Sequence, residues 1–202
     1  FFSPPGKGIW VSILLRPTFL PQDAPKCTLM AAVAVARAME HFGLRAAIKW
    51  PNDVVVRGKK VAGILTEMST DLDRIEFVVI GIGINVNTDS FPEEIREVAT
   101  SLAIEQGKET ARTPIIAAVW KQFARYEKLF EEKGSFTALK ERYEALLANR
   151  GREVRVLDPD GEYCGVAEGI TEGGELLVRR EDQSLTAVRS GEVSVRGIYG
   201  YI

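Results

Sequence analysis

Between Pro25 and Phe42 the chain carries apolar residues on every side of a helical repeat, and Gly43 follows as a stop. A helix without a polar face must be covered all round, so it belongs at the centre of the molecule, packed against a sheet. The neighbouring sequence supplies strands for that sheet. Ile9–Leu15 ends at Pro17, and Ala46–Lys49, Val54–Arg57, Val61–Met68 and Ile75–Val86 follow. Gly58-Lys59 is a hairpin-sized link, and Val78-Val79-Ile80 running on through alternating glycines reads as a strand covered on both faces.

Two helices are expected next. Thr113-Pro114 reads as an N-cap with proline at the first helical position, followed by a stripe of Ile115, Ile116, Val119, Phe123, Tyr126 and Phe130 that ends at Gly134. Ser135 is placed to cap the second, with Phe136, Leu139, Tyr143, Leu146 and Leu147 inward. Beyond Asn149-Arg150-Gly151 the texture changes to short strands split by tight turns: Glu153–Leu157, Tyr163–Ile170, Glu175–Arg179, Thr186–Arg189 and Val193–Arg196. The expected fold class is α+β, with a sheet-and-helix domain over 1–149 and a small β-barrel over 150–202.

Composition removes several function classes. Twenty-six basic residues against 28 acidic give a net charge of −2, so no positive excess advertises nucleic acid or an anionic membrane. The longest apolar stretch, Cys27 to Ala36, is far short of the roughly 20 residues that span a bilayer. Phe1-Phe2-Ser3-Pro4-Pro5 does not read as a signal peptide, and Cys27 and Cys164 read as small buried thiols, so a cytoplasmic location is expected. The single histidine, His41, reads as a helix C-terminal residue; no Gly-x-Ser-x-Gly elbow and no His/Cys zinc cluster occurs, so no metal ligands are assigned. Gly81-Ile82-Gly83-Ile84-Asn85-Val86 fails the dinucleotide fingerprint at Val86, and Lys7 between Gly6 and Gly8 does not make a phosphate loop.

What remains is Lys49-Trp50-Pro51-Asn52-Asp53, which puts a cation, an aromatic ring, an amide and a carboxylate between two strands. Read as structure alone, Trp50 packs, Pro51 turns, Asn52-Asp53 caps and Lys49 is solvated. Gly63 in one strand, and Gly81 and Gly83 in another, leave space either for tight packing or for a flat, mostly uncharged ligand with Lys60 and Asn85 at its polar end.

Five segments in order carry a family resemblance: Lys-Trp-Pro-Asn-Asp at 49–53, Gly-Lys-Lys-Val-Ala-Gly-Ile-Leu at 58–65 with Glu67, Gly-Ile-Gly-Ile-Asn-Val-Asn at 81–87, Ala-Thr-Ser-Leu at 99–102 and Ser-Gly-Glu-Val-Ser-Val-Arg at 190–196. Phe2-Ser3-Pro4 and Leu15-Arg16-Pro17 also match, and the chain resembles the biotin–protein ligases. The resemblance implies a biotinyl/lipoyl ligase-like mixed sheet packed with helices and an SH3-like barrel. It implies activation of biotin by ATP, with Mg²⁺, to biotinyl-5′-adenylate, and transfer to a lysine of a carboxylase's biotin carrier domain. A homodimer is compatible with it. By position, Lys60 matches the lysine that contacts biotin and adenylate. Gly63, Ile64, Leu65, Gly81 and Gly83 line the biotin slot, with Trp10 as a wall. Phe1, Asn85 and Arg196 fall at nucleotide-facing positions, Glu192 faces the ATP site and the carrier, and Asp53 either orients Lys49 or serves in transfer. The family also carries, ahead of the position of Phe1, a polar biotin-contacting strand, an Arg/Gly-rich loop and in some members a DNA-binding domain; none is in this sequence, so an N-terminally incomplete ligase with little adenylate formation and no nucleic-acid partner is expected. The alternatives are a fragment that binds biotin or carrier without catalysis, and a lipoate–protein ligase relative, whose lysine motif differs.

One conflict is internal to the pattern. Strand alternation puts Lys59, not Lys60, on the face of Gly63, whereas motif alignment selects Lys60. A bulge near the hairpin would reconcile them.

Overall fold

The computed structural model describes residues 2, 4–72, 74–133, 136–158, 161–190, 194–197 and 201. Five strands form the first sheet: β1 (Gly8–Leu15), β2 (Ala46–Lys49), β3 (Asp53–Val56), β4 (Lys59–Asp71) and β5 (Arg74–Asn85), in the order β1-β5-β4-β3-β2. The named strands pair antiparallel throughout; the parallel component is two isolated bridges, Ile48 to Leu147 and Lys60 to Ala99.

Helix α1 (Ala24–Glu40) is central, as its sequence requires. Its residues Ala31 to Ala36 are fully enclosed between the sheet and α3 (Arg112–Lys133), which packs on its far side. Alanine at 31, 32, 34, 36 and 38 lets both layers approach closely, and a charge at Ala34 would meet apolar atoms in every direction. Gly43, at φ 73°, then turns the chain where a side chain would strain it. On the sheet, Ile9 and Ile13, Ala62 and Ile64, and Val78, Ile80, Ile82 and Ile84 face α1. β5 is therefore covered by helix on one face only. Its glycine-bearing face looks outward, which corrects the reading of a strand buried on both sides.

Other departures have local causes. α3 begins at Arg112, so Thr113 lies inside the first turn and is not its cap; Pro114 remains tolerable there because first-turn N–H groups have no helical partner. Ile116 is exposed, off the stripe formed by Ile115, Val119, Phe123 and Tyr126. α4 (Thr137–Glu144) is preceded by Phe136, and the proposed cap Ser135 and stop Gly134 lie outside the described residues. An unanticipated short helix, α2 (Leu102–Gln106), starts at Ser101, whose hydroxyl accepts the Ile104 N–H.

The second sheet holds β6 (Glu153–Leu157), β7 (Tyr163–Ile170), β8 (Leu176–Arg179), β9 (Leu185–Val188) and β10 (Ser194–Gly197) in the order β10-β6-β7-β8-β9. This is consistent with an SH3-like barrel, bent by a bulge between Ala167 and Gly169, but β9 and β10 do not meet and the barrel is not closed among the described residues. Cys164 is exposed, because it alternates onto the outer face of β7; Cys27 is buried, and that burial, with Glu127 and Asp23 nearby, pushes its thiol up to about 12. No helix of the described residues is long and apolar enough to cross a membrane.

Candidate functional site

The open face of the first sheet carries one transverse row. Trp10 pairs with Gly83, Gly83 with Gly63, Gly63 with Asp53, and Asp53 with Lys49, so one residue from each of the five strands points to the same side. Directly paired antiparallel residues share a face, which makes this alignment a property of the backbone register. Two glycines in the middle leave a trough between an aromatic wall and a charged wall. At about 4.8 Å per strand the walls stand on backbones roughly 14 Å apart.

Lys60 joins this row through a bulge. Val54 pairs with Ala62 and Val55 with Lys60, so Val61 is passed over and the facing of β4 is reset. Lys60 Nζ consequently lies 2.5 Å from Asp53 Oδ1, in a pair whose side chains are 27% and 13% exposed. Lys59 points away and donates to the Arg96 carbonyl at 3.0 Å. The bulge settles which lysine faces the glycines.

Over the glycines lies an open cleft of about 440 Å³, bounded by Trp10, Ser12, Asn52, Lys60, Leu65 and Gly81 with Gly63, Ile64 and Gly83 as floor; Asp53 and Lys49 stand behind Lys60, outside its lining. The two β5 glycines differ in kind. A Cβ at Gly83 would stand 2.5 Å from Trp10 Cζ3, so Gly83 exists for the indole lying across it. A Cβ at Gly81 would meet only the Leu65 carbonyl at 3.5 Å, so a side chain there would project into the cleft. One slightly larger pocket, of about 480 Å³, lies beside the second sheet near Pro25 and Gly174; Lys26 lines it, but none of Lys49, Lys59 and Lys60 does.

The charged wall is closed by a residue from beyond β10. Tyr201 donates its hydroxyl to Asp53 Oδ2, and its ring covers Lys49, whose Nζ lies 3.9 Å from the ring centroid. Burial lowers the Lys49 pKa from the ordinary lysine value against the attraction of Asp53, and Arg196 and Lys60 add their repulsion. Lys49 is therefore partly desolvated, contrary to the solvated alternative. Burial, the Asp53 charge and their hydrogen bond raise the Tyr201 hydroxyl far above its usual range, so it remains a donor.

Several motif residues prove to be supports. Trp50 is buried, its indole N–H donating to the Gly174 carbonyl at 3.0 Å and its backbone N–H to Asn149 Oδ1 at 2.9 Å, which ties the first sheet to the second. The bond from Trp50 to Pro51 is cis. Asn52 and Ile64 exchange two hydrogen bonds, side chain to carbonyl at 2.7 Å and N–H to carbonyl at 3.0 Å. Thr100 N–H donates to the Lys60 carbonyl at 2.9 Å, and Thr100 O accepts from Asn85 Nδ2 at 3.0 Å, so 99–102 joins the lysine strand to Asn85. Asn85 itself is buried at the end of β5, outside the lining of the cleft. Arg196 is exposed, close enough to act on Lys49 and Tyr201. Phe1 and Glu192 lie outside the described residues.

Residues 1–85 match the Biotin/lipoate A/B protein ligase family, and 151–196 match the Biotin protein ligase C terminal domain. A biotin–[acetyl-CoA-carboxylase] ligase of Paracoccus denitrificans is 30% identical over 174 residues, covering 83% of this chain and 72% of that protein. The chain belongs to the biotin protein ligase family. The bifunctional ligase/repressor BirA of Bacillus spizizenii is 40% identical over 183 residues, 89% of this chain; the chain spans 56% of that relative's length. In structure, the biotin protein ligase of Aquifex aeolicus in complex with biotin and ATP superposes with a TM-score of 0.84 at 34% identity, covering 95% of this chain and 79% of that one.

Two residues that the structure brings to the cleft and to Asp53, Ser12 and Tyr201, were not among those expected from the sequence. Ser12 pairs with Gly81 in β1, two residues from Trp10, so alternation from Trp10 would have found it. Tyr201 had no such signal, since nothing in its neighbourhood of sequence places it on Asp53. No group of three or more His, Cys, Asp or Glu that could hold a metal ion occurs among the described residues.

Proposed function

We propose that the chain, read as a ligase unit over 1–149 with a small second unit over 150–202, binds biotin in the glycine-floored cleft. There it joins biotin to AMP from MgATP and passes biotin to a carrier lysine. The observation that carries this reading is the bulge that brings Lys60 onto the face of Gly63 and Gly83 beside Asp53. Biotin's flat, largely uncharged ring system suits a trough walled by Trp10 and Leu65, and its carboxylate suits the cationic end. No covalent enzyme intermediate is needed. The biotin carboxylate attacks the α-phosphorus, pyrophosphate leaves, and Lys60 offsets the repulsion between the two anions.

In the second step the neutral amine of the acceptor attacks the biotinyl carbonyl carbon. A C–N bond forms, the C–O bond to phosphate breaks, and AMP departs with the electron pair. Asp53 takes the amine proton and passes it to solvent. A cytoplasmic enzyme acting on a carboxylase's carrier domain, as a monomer or homodimer, fits this chemistry. The direct test is pyrophosphate release from ATP: it should require biotin, and release independent of biotin, or none from any form of the protein, would contradict the proposal.

A further inference from the structure

We infer that Tyr201 occupies the place of the incoming acceptor amine, so that its phenol must be displaced from Asp53 before biotin can be transferred; this rests on the ligase reading above. Asp53 has two carboxylate oxygens. Oδ1 faces Lys60 Nζ at 2.5 Å, and Oδ2 accepts the Tyr201 hydroxyl. The acceptor amine needs a carboxylate oxygen to hold its N–H and take the proton, and Lys60 keeps the first. The second is already held by an O–H donor that mimics an N–H. The same ring lies on Lys49, so Tyr201 covers the charged wall of the cleft from above Asp53 to Lys49.

The contact does not close the biotin side. The cleft lining runs through Trp10, Lys60, Gly63, Leu65 and Gly81 and includes neither Tyr201 nor Asp53. Adenylate binding and amine access are therefore separable: Tyr201 selects which amines reach the carboxylate, admitting one that brings enough binding energy to displace it. A free small amine brings little, and a lysine presented on a folded partner brings more.

The test uses synthetic biotinyl-5′-adenylate, which bypasses the ATP step, and N-α-acetyl-lysine amide as acceptor. Tyr201→Phe keeps the ring on Lys49 and loses the donor; Tyr201→Ala loses both. Calorimetry should show that both variants still bind the adenylate. The acceptor KM, from transfer above the uncatalysed rate, should fall by about tenfold in each, matching one charge-assisted hydrogen bond no longer displaced. Bound adenylate with an unchanged or raised KM, or with no transfer above background, would overturn this inference alone, because it would make Tyr201 a support that positions Asp53. Failure of all three proteins to bind the adenylate would overturn the ligase reading and this inference with it.

Discussion

Replacing Lys60 by alanine should do far more damage than replacing its neighbour Lys59, and the structure sets the scale of both. Lys60 Nζ and Asp53 Oδ1 are 2.5 Å apart in a pair with side chains 27% and 13% exposed. At an effective dielectric of about 20 their attraction is roughly 6–7 kcal/mol, most of it offset by the desolvation of both groups. Removing one partner leaves Asp53 with the Tyr201 hydroxyl and the Lys49 charge, so the stability loss should be about 1–3 kcal/mol and not the larger loss of an uncompensated buried ion. The ligand loses a charge-assisted contact worth about tenfold or more in affinity or rate. Lys59 Nζ, by contrast, is bonded to the Arg96 carbonyl at the surface, and Lys59→Ala should cost less than about 1 kcal/mol and less than threefold in function. Chemical denaturation gives the stabilities; calorimetric affinity for biotinyl-5′-adenylate and biotin-dependent pyrophosphate release give the function. If Lys59→Ala proved the more harmful in function, the bulge would not set the facing of Lys60 and the site assignment would be wrong.

Gly81→Val should abolish biotin binding in calorimetry with a native circular dichroism spectrum, whereas Gly83→Ala should also lower the melting temperature because it strikes the Trp10 ring; normal biotin affinity in Gly81→Val would mean the glycines serve packing alone. Lys49 should titrate below the ordinary lysine range in a carbon-detected NMR titration. Since a depressed lysine pKa penalises the folded state below that pKa and the penalty disappears toward 10.5, the stability of the parent should gain on Lys49→Met as pH rises from 7 to 10.5; a constant difference would contradict the desolvation. Trp50→Phe should lower stability by about 1–3 kcal/mol in urea, because the buried Gly174 carbonyl loses its donor; a neutral result would show that water replaces the indole.

The sheet, its central helix and the glycine-floored side of the cleft were legible because each rests on a local rule. An all-round apolar helix must be covered, and strand alternation sorts Trp10, Gly83 and Gly63 to one face once the pairing is known. Lys60 showed the limit of that rule. Parity assigned it to the wrong face, and only a register shift between Val54 and Val55, which depends on the partner strand, corrects it. The start of α3 at Arg112 was missed for a similar reason: proline is tolerated anywhere in the first turn, so Pro114 does not mark the first residue uniquely. Tyr201 was beyond reach altogether, since its bond to Asp53 joins residues 148 positions apart and leaves no periodic trace.

An amide chemical-shift map on adding biotin tests the central claim most directly, since it registers weak and tight binding alike. Shifts should concentrate at Gly63, Ile64, Leu65, Gly81 and Gly83 and at the indole N–H of Trp10, with those around Gly173 and Gly174 at the second sheet unmoved. Shifts centred on that second pocket, or none at saturating biotin, would contradict the cleft as the biotin site.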